Sequence, residues 1–255
     1  MNIAAYLQRI AYRGSQTPSA DTLRALHLAH LHAVPFENLD IHMRRPISLE
    51  PACMFQKIVI ERRGGFCYEL NGLFAALLQA LGFQVAYLAA SDAHADGGYG
   101  PPFDHLALLV EVPQEGHTRW LADVGWGDTF CRPLRADTAE LQVEGARAYR
   151  LERDGEYSIL WQRHASGEWE RNYRFSLEPR QFTEFESMCG YHQTSADSPF
   201  TRNRLVTRAT PNGRITLDDR RLIMTVDSQR TETPIEGEDM FWRLAQEHFG
   251  IAARH

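Results

Sequence analysis

From the first residue to about position 83, apolar residues recur at helical spacing. In "ADTLRALHLAHLHAV", Leu23, Leu26, Leu28 and Leu31 share one stripe, Asp21 is the candidate N-cap, and Pro35 predicts the end of the run. "RRGGFCYELNGLF" opens a second helix on which Leu70, Leu73, Phe74, Leu77, Leu78 and Leu81 form an apolar stripe, with Gly82 as its C-terminal stop. From about Gln84 the period changes to two. "FQVAYLAAS", "DHLALLVEV", "TRWLADVGW", "RAYRLERDG", "YSILWQRHA" and "EWERNYRFSL" read as strands separated by turn residues, which predicts a six-strand antiparallel sheet or barrel. From about Ser187, "RLVTRAT", "GRITLDD" and "RLIMTVD" add strands, and "GEDMFWRLAQEHFG" adds a final amphipathic helix. The pattern predicts an α+β fold in three parts, helical, then β, then small α/β, without internal repeat or low-complexity tract.

Charge narrows the partners. A formal net charge of -6 over 255 residues leaves no general basic field for a phosphate backbone, so neither nucleic acid nor an anionic membrane is expected as a main partner. The N-terminal "MNIAAYLQRIAYRG" has too short an apolar run for a signal peptide and reads as a first helix, and no stretch is apolar enough to span a bilayer. The cytosol is the expected compartment. The four cysteines, Cys53, Cys67, Cys131 and Cys189, contain no CxxC pair, which argues against a zinc knuckle or a thioredoxin-like motif and for free thiols.

Cys67 stands at the start of a helix after two glycines. An unperturbed thiol titrates near 8.5 and is a weak nucleophile at neutral pH; helix-start amides and the helix dipole favour its thiolate and can also hold an oxyanion. Position alone does not separate an activated thiol from a buried structural cysteine. Of the eleven histidines, His27, His30, His32 and His42 lack HExxH spacing and a nearby cysteine ligand, so no metal is expected there. His105 is more informative. In its strand Leu106, Leu108, Val110 and Val112 face one way and His105, Ala107 and Leu109 the other; a hairpin turn centred on Gln114 would set His105 directly across from Asp123. A carboxylate there would orient an imidazole that deprotonates Cys67, the nucleophile, base and orienter logic of unrelated hydrolases.

These residues resemble the arylamine N-acetyltransferase family. "RGGFCYELNGLF" is similar to its cysteine motif, "VPFENLDIH" to the segment upstream, "DHLALLV" and "LADVGWG" to its histidine and aspartate motifs, and "YHQTSADSPFTRNRLVTRATPNGRITL" to its C-terminal region. The resemblance implies an N-terminal helical bundle (1–83), a central antiparallel β-barrel (84–186) and a C-terminal α/β lid (187–255) around a cysteine-protease-like Cys-His-Asp core. It implies ping-pong transfer of acetyl from acetyl-CoA to an arylamine or arylhydrazine, with Cys67 as nucleophile, His105 as base and Asp123 as orienter, and with no metal. It implies a structural ion pair between Glu37 and Arg63. Trp126 is a candidate acceptor-lining aromatic, or else a core residue of a tight turn; Phe36 and Phe130 join it as candidate substrate contacts. Gly125 and Gly127 are candidate points of backbone approach to the coenzyme.

Arginines 202, 204, 208, 214, 220 and 221 read as a charge-balanced surface rather than as phosphate contacts. The chain ends at His255, soon after its last helix, which predicts a trimmed lid and a more open acceptor pocket. A monomer or weak homo-oligomer is expected. Three rivals stay open: a macrolactam-forming amide synthase of the same family, a transglutaminase-like cysteine hydrolase, and a binding protein without chemistry.

Overall fold

The computed structural model describes residues 1–252, so the expectation attached to His255 lies outside the described residues. The chain begins with α1 (Ile3–Arg9) and α2 (Ala20–Ala33). The N-cap of α2 is Ser19, whose Oγ accepts the Thr22 N–H at 3.1 Å, and not Asp21; Asp21 lies in the first turn, where the helix dipole favours its charge. Pro35 ends the helix as expected. The region before position 83 is not wholly helical, because β1 (Phe36–Glu37) interrupts it before α3 (Leu39–His42) and α4 (Pro51–Phe55), which runs on into a π-turn at Gln56–Ile60. Two residues are too few to show a strand period.

Helix α5 (Cys67–Ala80) carries the cysteine at its first position. Leu70, Leu73, Phe74, Leu77 and Leu78 are fully buried in the largest core, and Gly82 at φ +94° turns the chain out of the helix. Arg9 in α1 is buried, and its guanidinium donates to the carbonyls of Ala33, Ile58, Arg62 and Arg63. It ties the end of α2 to the backbone just ahead of the cysteine motif.

The strands β2 (Gln84–Asp92), β3 (His105–Val112), β4 (Thr118–Ala122), β5 (Leu134–Arg135), β6 (Gln142–Glu144), β7 (Arg147–Asp154), β8 (Tyr157–Arg163) and β9 (Trp169–Ser176) form one antiparallel sheet in the order β5-β4-β3-β2-β9-β8-β7-β6. The six expected strands are present, and the two short ones, β5 and β6, form its edges. Those edges nearly close into a barrel: the Gln142 side chain accepts from the Arg135 N–H at 2.7 Å and donates to the Arg135 carbonyl at 3.0 Å. Strand β3 keeps its period of two. Leu106, Leu108, Val110 and Val112 face the helical core, while Ala107 and Leu109 face the barrel core.

The β3–β4 register corrects the expected one. Val112 pairs with Thr118 and Leu108 with Ala122, so the turn centres on Glu115, not Gln114. A one-turn helix at Pro113–Glu115, followed by Gly116 at φ +67°, accounts for the difference. The register therefore moves by two residues, which preserves the face of every side chain. The ladder stops at Ala122, so Asp123 reaches His105 from the following loop and not from a paired position.

After α6 (Glu186–Thr194) and α7 (Pro199–Arg202) come β10 (Leu205–Thr210), β11 (Gly213–Asp218), β12 (Arg221–Val226), β13 (Gln229–Pro234) and α8 (Glu238–Phe249). Strand β1 pairs with β10 at one edge of a second sheet, in the order β1-β10-β11-β12-β13, with Phe36 opposite Thr207. Helix α8 covers this sheet with Phe241, Leu244, Ala245 and Phe249. No helix of the described residues is long and apolar enough to cross a membrane.

Candidate active site

The backbone before Cys67 is held by pairing with the "PFE" segment. Phe36 bridges Gly65, and the Glu37 N–H donates to the Gly65 carbonyl at 2.8 Å. A Cβ on Gly64 would fall 2.0 Å from the Pro35 carbonyl oxygen. The glycine pair is thus required for close approach, and the left-handed residue of this segment is Arg62, at φ +58°.

Beneath the first turn of α5 lies a buried ion network. Arg63 pairs with Glu37 at 2.7 Å, as expected, and also with Asp40 at 3.0 Å; Lys57 bridges Asp40 and Glu69, both at 2.8 Å. The second oxygen of Glu37 accepts the Leu39 N–H, and Glu69 accepts the N–H of Phe66, the residue before Cys67. Burial raises the Glu69 carboxyl despite Lys57, whereas Lys57 and Arg63 outweigh burial and hold Asp40 low.

On the other side of that turn, His105 Nε2 lies 2.7 Å from Asp123 Oδ2, both side chains sealed from solvent. A carboxylate only accepts, so Nε2 carries the proton and Nδ1 is the basic nitrogen. Asp123 Oδ1 accepts from Asn71 Nδ2 and from the Gly125 N–H, both at 2.9 Å. Burial pulls the His105 imidazole down, but Asp123 more than offsets this and holds it above its ordinary value; burial likewise pushes Asp123 up, and its donors bring it below the carboxylate range. Cys67 lies against the start of β3, where the amide of Leu106, the residue after His105, donates toward its sulfur. Burial, then the charge of Asp92, drives the thiol well above its usual range, with Leu106 opposing.

Two supporting residues escape a reading by motif. Asn71, one turn after Cys67, has its amide nitrogen on the Leu106 carbonyl at 2.6 Å and on Asp123, and its oxygen accepts the Val124 N–H at 2.9 Å. His27 is fully buried: its Nδ1 meets the Cys131 carbonyl at 2.9 Å, and its Nε2 accepts the Asp123 N–H at 3.1 Å. Burial lowers its imidazole to about 4, so it stays neutral, as these two roles require. The available signal was a polar residue inside an apolar helical stripe in each case.

The remaining candidates divide. Trp126 sets its ring edge-on to His105 with centroids 5.0 Å apart. Phe36 is buried against Phe200. Phe130 is a core residue, stacked on His27. A Cβ on Gly125 would meet the Cys67 Cα at 2.7 Å, so this glycine lets the loop that carries Asp123 pack on the Cys67 backbone. Gly127, at φ +94°, makes the turn after Trp126.

The family model described as N-acetyltransferase matches residues 19–254. The chain is 36% identical to the arylamine N-acetyltransferase of Escherichia coli over 209 residues, 82% of this chain and 73% of that protein. The chain belongs to the arylamine N-acetyltransferase family. Its fold matches the structure of Mycobacterium marinum arylamine N-acetyltransferase in complex with CoA with a TM-score of 0.91 at 31% identity, covering 98% of this chain and 93% of that one. The proansamycin X synthase of Amycolatopsis mediterranei is 30% identical over 250 residues, 95% of each chain. In this N-acetyltransferase family member, five of the six C-terminal arginines are committed to protein acceptors. Arg202 donates to Ala196, Arg204 to Asp219 and Glu238, Arg208 to His32 and His248, Arg214 to Asp128, and Arg221 to Glu232.

Proposed function

We propose that this acyltransferase moves acetyl from acetyl-CoA to an arylamine or arylhydrazine by a ping-pong mechanism through an acetyl group on Cys67. The observation that carries the reading is the His105–Asp123 hydrogen bond beside a buried cysteine at a helix start. In the first half, His105 Nδ1 takes the thiol proton as sulfur attacks the thioester carbonyl. The new C–S bond forms, the old one breaks, and the imidazolium returns the proton to the departing coenzyme thiol. One thioester replaces another, so this half is nearly isoenergetic. In the second half the amine, largely unprotonated at neutral pH, attacks the acetyl-enzyme. The first-turn amides of α5, with no side-chain cap from Phe66, suit an oxyanion.

Trp126 and Phe36 are the aromatics assigned to the acceptor side, with Phe130 supporting from behind. Gly127 is the more accessible of the two glycines for the coenzyme. The division into bundle (1–83), barrel (84–186) and lid (187–255), and a cysteine-protease-like core, belong to the same reading. So does the cytosol, which suits four free cysteines.

The proansamycin X synthase match favours one second reading, an amide synthase that closes a macrolactam from a bound thioester. Initial rates with acetyl-CoA and a simple arylamine separate the two. Parallel double-reciprocal lines support acetyl transfer, and no turnover of acetyl-CoA with any arylamine contradicts it.

A further inference from the structure

Asp92 is the last residue of β2 and has no part in the chemistry above. In the sheet it stands opposite Tyr173, two residues beyond Ala90, which stands opposite His105. Residues two apart on a strand share a face. Asp92, Tyr173 and His105 therefore point to the same side, and the Tyr173 ring lies 5.1 Å from His105 and 4.9 Å from Trp126. Asp92 Oδ1 is sealed from solvent, and no group among the described residues donates a hydrogen bond to it. A buried carboxylate oxygen without a donor is costly and is expected where a ligand supplies one. The carboxyl faces His105 from β3, His192 from α6, and the carboxylates of Asp104 and Asp123. Burial and those two carboxylates outweigh the histidines and raise it to about 6. At Cys67 its charge is felt more strongly than that of Asp123.

Resting on the acetyl-Cys67 reading, we propose that Asp92 is a catalytic residue of the second half-reaction, receiving an N–H of the acceptor amine. The attacking nitrogen of a primary arylamine or arylhydrazine carries two hydrogens. One faces His105 Nδ1 and the other donates to Asp92 Oδ1. The nitrogen lone pair forms the N–C bond to the acetyl carbon. The C–S bond breaks with its electron pair on the Cys67 sulfur, and the proton taken by His105 passes to that sulfur. Asp92 keeps no proton; its negative charge stabilises the nitrogen while that atom bears positive charge. This contact is available only to acceptors whose nucleophilic atom has a second hydrogen to give.

The two half-reactions test this separately in Asp92→Asn and Asp92→Ala, using acetyl-CoA alone and then a phenylhydrazine or free CoA as acceptor. Acetylation of Cys67 is expected to be retained or faster, because removal of the neighbouring charge eases thiol ionisation. Discharge of the acetyl-enzyme by the hydrazine is expected to fall about 10–100-fold. Discharge by the CoA thiol, whose nucleophile has a single hydrogen, is expected to fall less than threefold. Hydrazine discharge at the wild-type rate would assign Oδ1 to ordered water and overturn the proposal, and an equal loss with both acceptors would reduce Asp92 to a structural role and overturn it too. A wild-type enzyme that never acetylates Cys67 would instead overturn the underlying function, and this inference with it.

Discussion

Two buried polar clusters meet the first turn of α5, and they are finished differently. In the network of Lys57, Arg63, Glu37, Asp40 and Glu69 every carboxylate oxygen has a donor, from a cation or a backbone amide. In the cluster of Cys67, His105, Asp123, Asn71 and Asp92, Asp123 is fully satisfied but Asp92 Oδ1 has no donor among the described residues, and the thiol is held far from its ordinary pKa. The first cluster is complete without a ligand, and the second is not. Both clusters bury charge, so burial alone does not tell them apart; the unpaired oxygen of Asp92 does.

Substitutions that respect geometry separate the two. Asp123→Asn keeps the shape but no longer holds His105 Nε2 as a donor to a charge. Acetyl transfer is expected to drop about 10³-fold with little change in melting temperature, read by steady-state rates beside thermal unfolding. Lys57→Met does the opposite, leaving Glu69 and Asp40 with one cation fewer. Stability is expected to fall by roughly 3–5 kcal/mol in urea unfolding, with the rate per folded molecule reduced less than tenfold. A catalytic loss without destabilisation in Lys57→Met would erase the contrast.

Asn71→Leu tests the junction, because Asn71 serves both α5 and Asp123. It leaves the Val124 N–H and the Leu106 carbonyl without their partner, at about 1–3 kcal/mol, and loosens the carboxylate that orients His105. Both stability and rate are expected to fall.

The smallest effect has the opposite sign. The Asp92 carboxyl is held at about 6 in the fold against ~3.9 in an unfolded chain. The folded form thus binds the proton more tightly, and ionisation of Asp92 weakens the fold. That penalty is absent below about pH 4, grows through pH 6 and is complete above it. Asp92→Asn should therefore raise the melting temperature at pH 7.5, equivalent to about 1–2 kcal/mol, and leave it unchanged near pH 4. A stabilising substitution that slows amine transfer would mark Asp92 as functional rather than structural.

Much of this was legible before the structure, and the exceptions have physical causes. The apolar stripe of α5 and the period of two in β3 placed Cys67 and the face of His105. Parity survived the misplaced turn, so the His105–Asp123 contact held although the register did not. Asn71 and His27 stayed hidden because each is a polar group inside an apolar helical run, and only tertiary packing reveals its partner. Strand β13, "QRTETP", is exposed throughout and has no hydrophobic alternation to read. Asp92 ends a strand like any surface aspartate, and its buried oxygen depends on β9 and α6, far along the chain.

Everything proposed for the site depends on Cys67 carrying the acetyl group between two substrates. Incubation with acetyl-CoA alone, followed by peptide mass analysis, puts that to the test. A single acetyl is expected on the Cys67 peptide, with none on Cys53, Cys131 or Cys189, and it is expected to leave on addition of an arylhydrazine. A folded enzyme with no adduct on Cys67, or with an adduct that the hydrazine leaves in place, would contradict it.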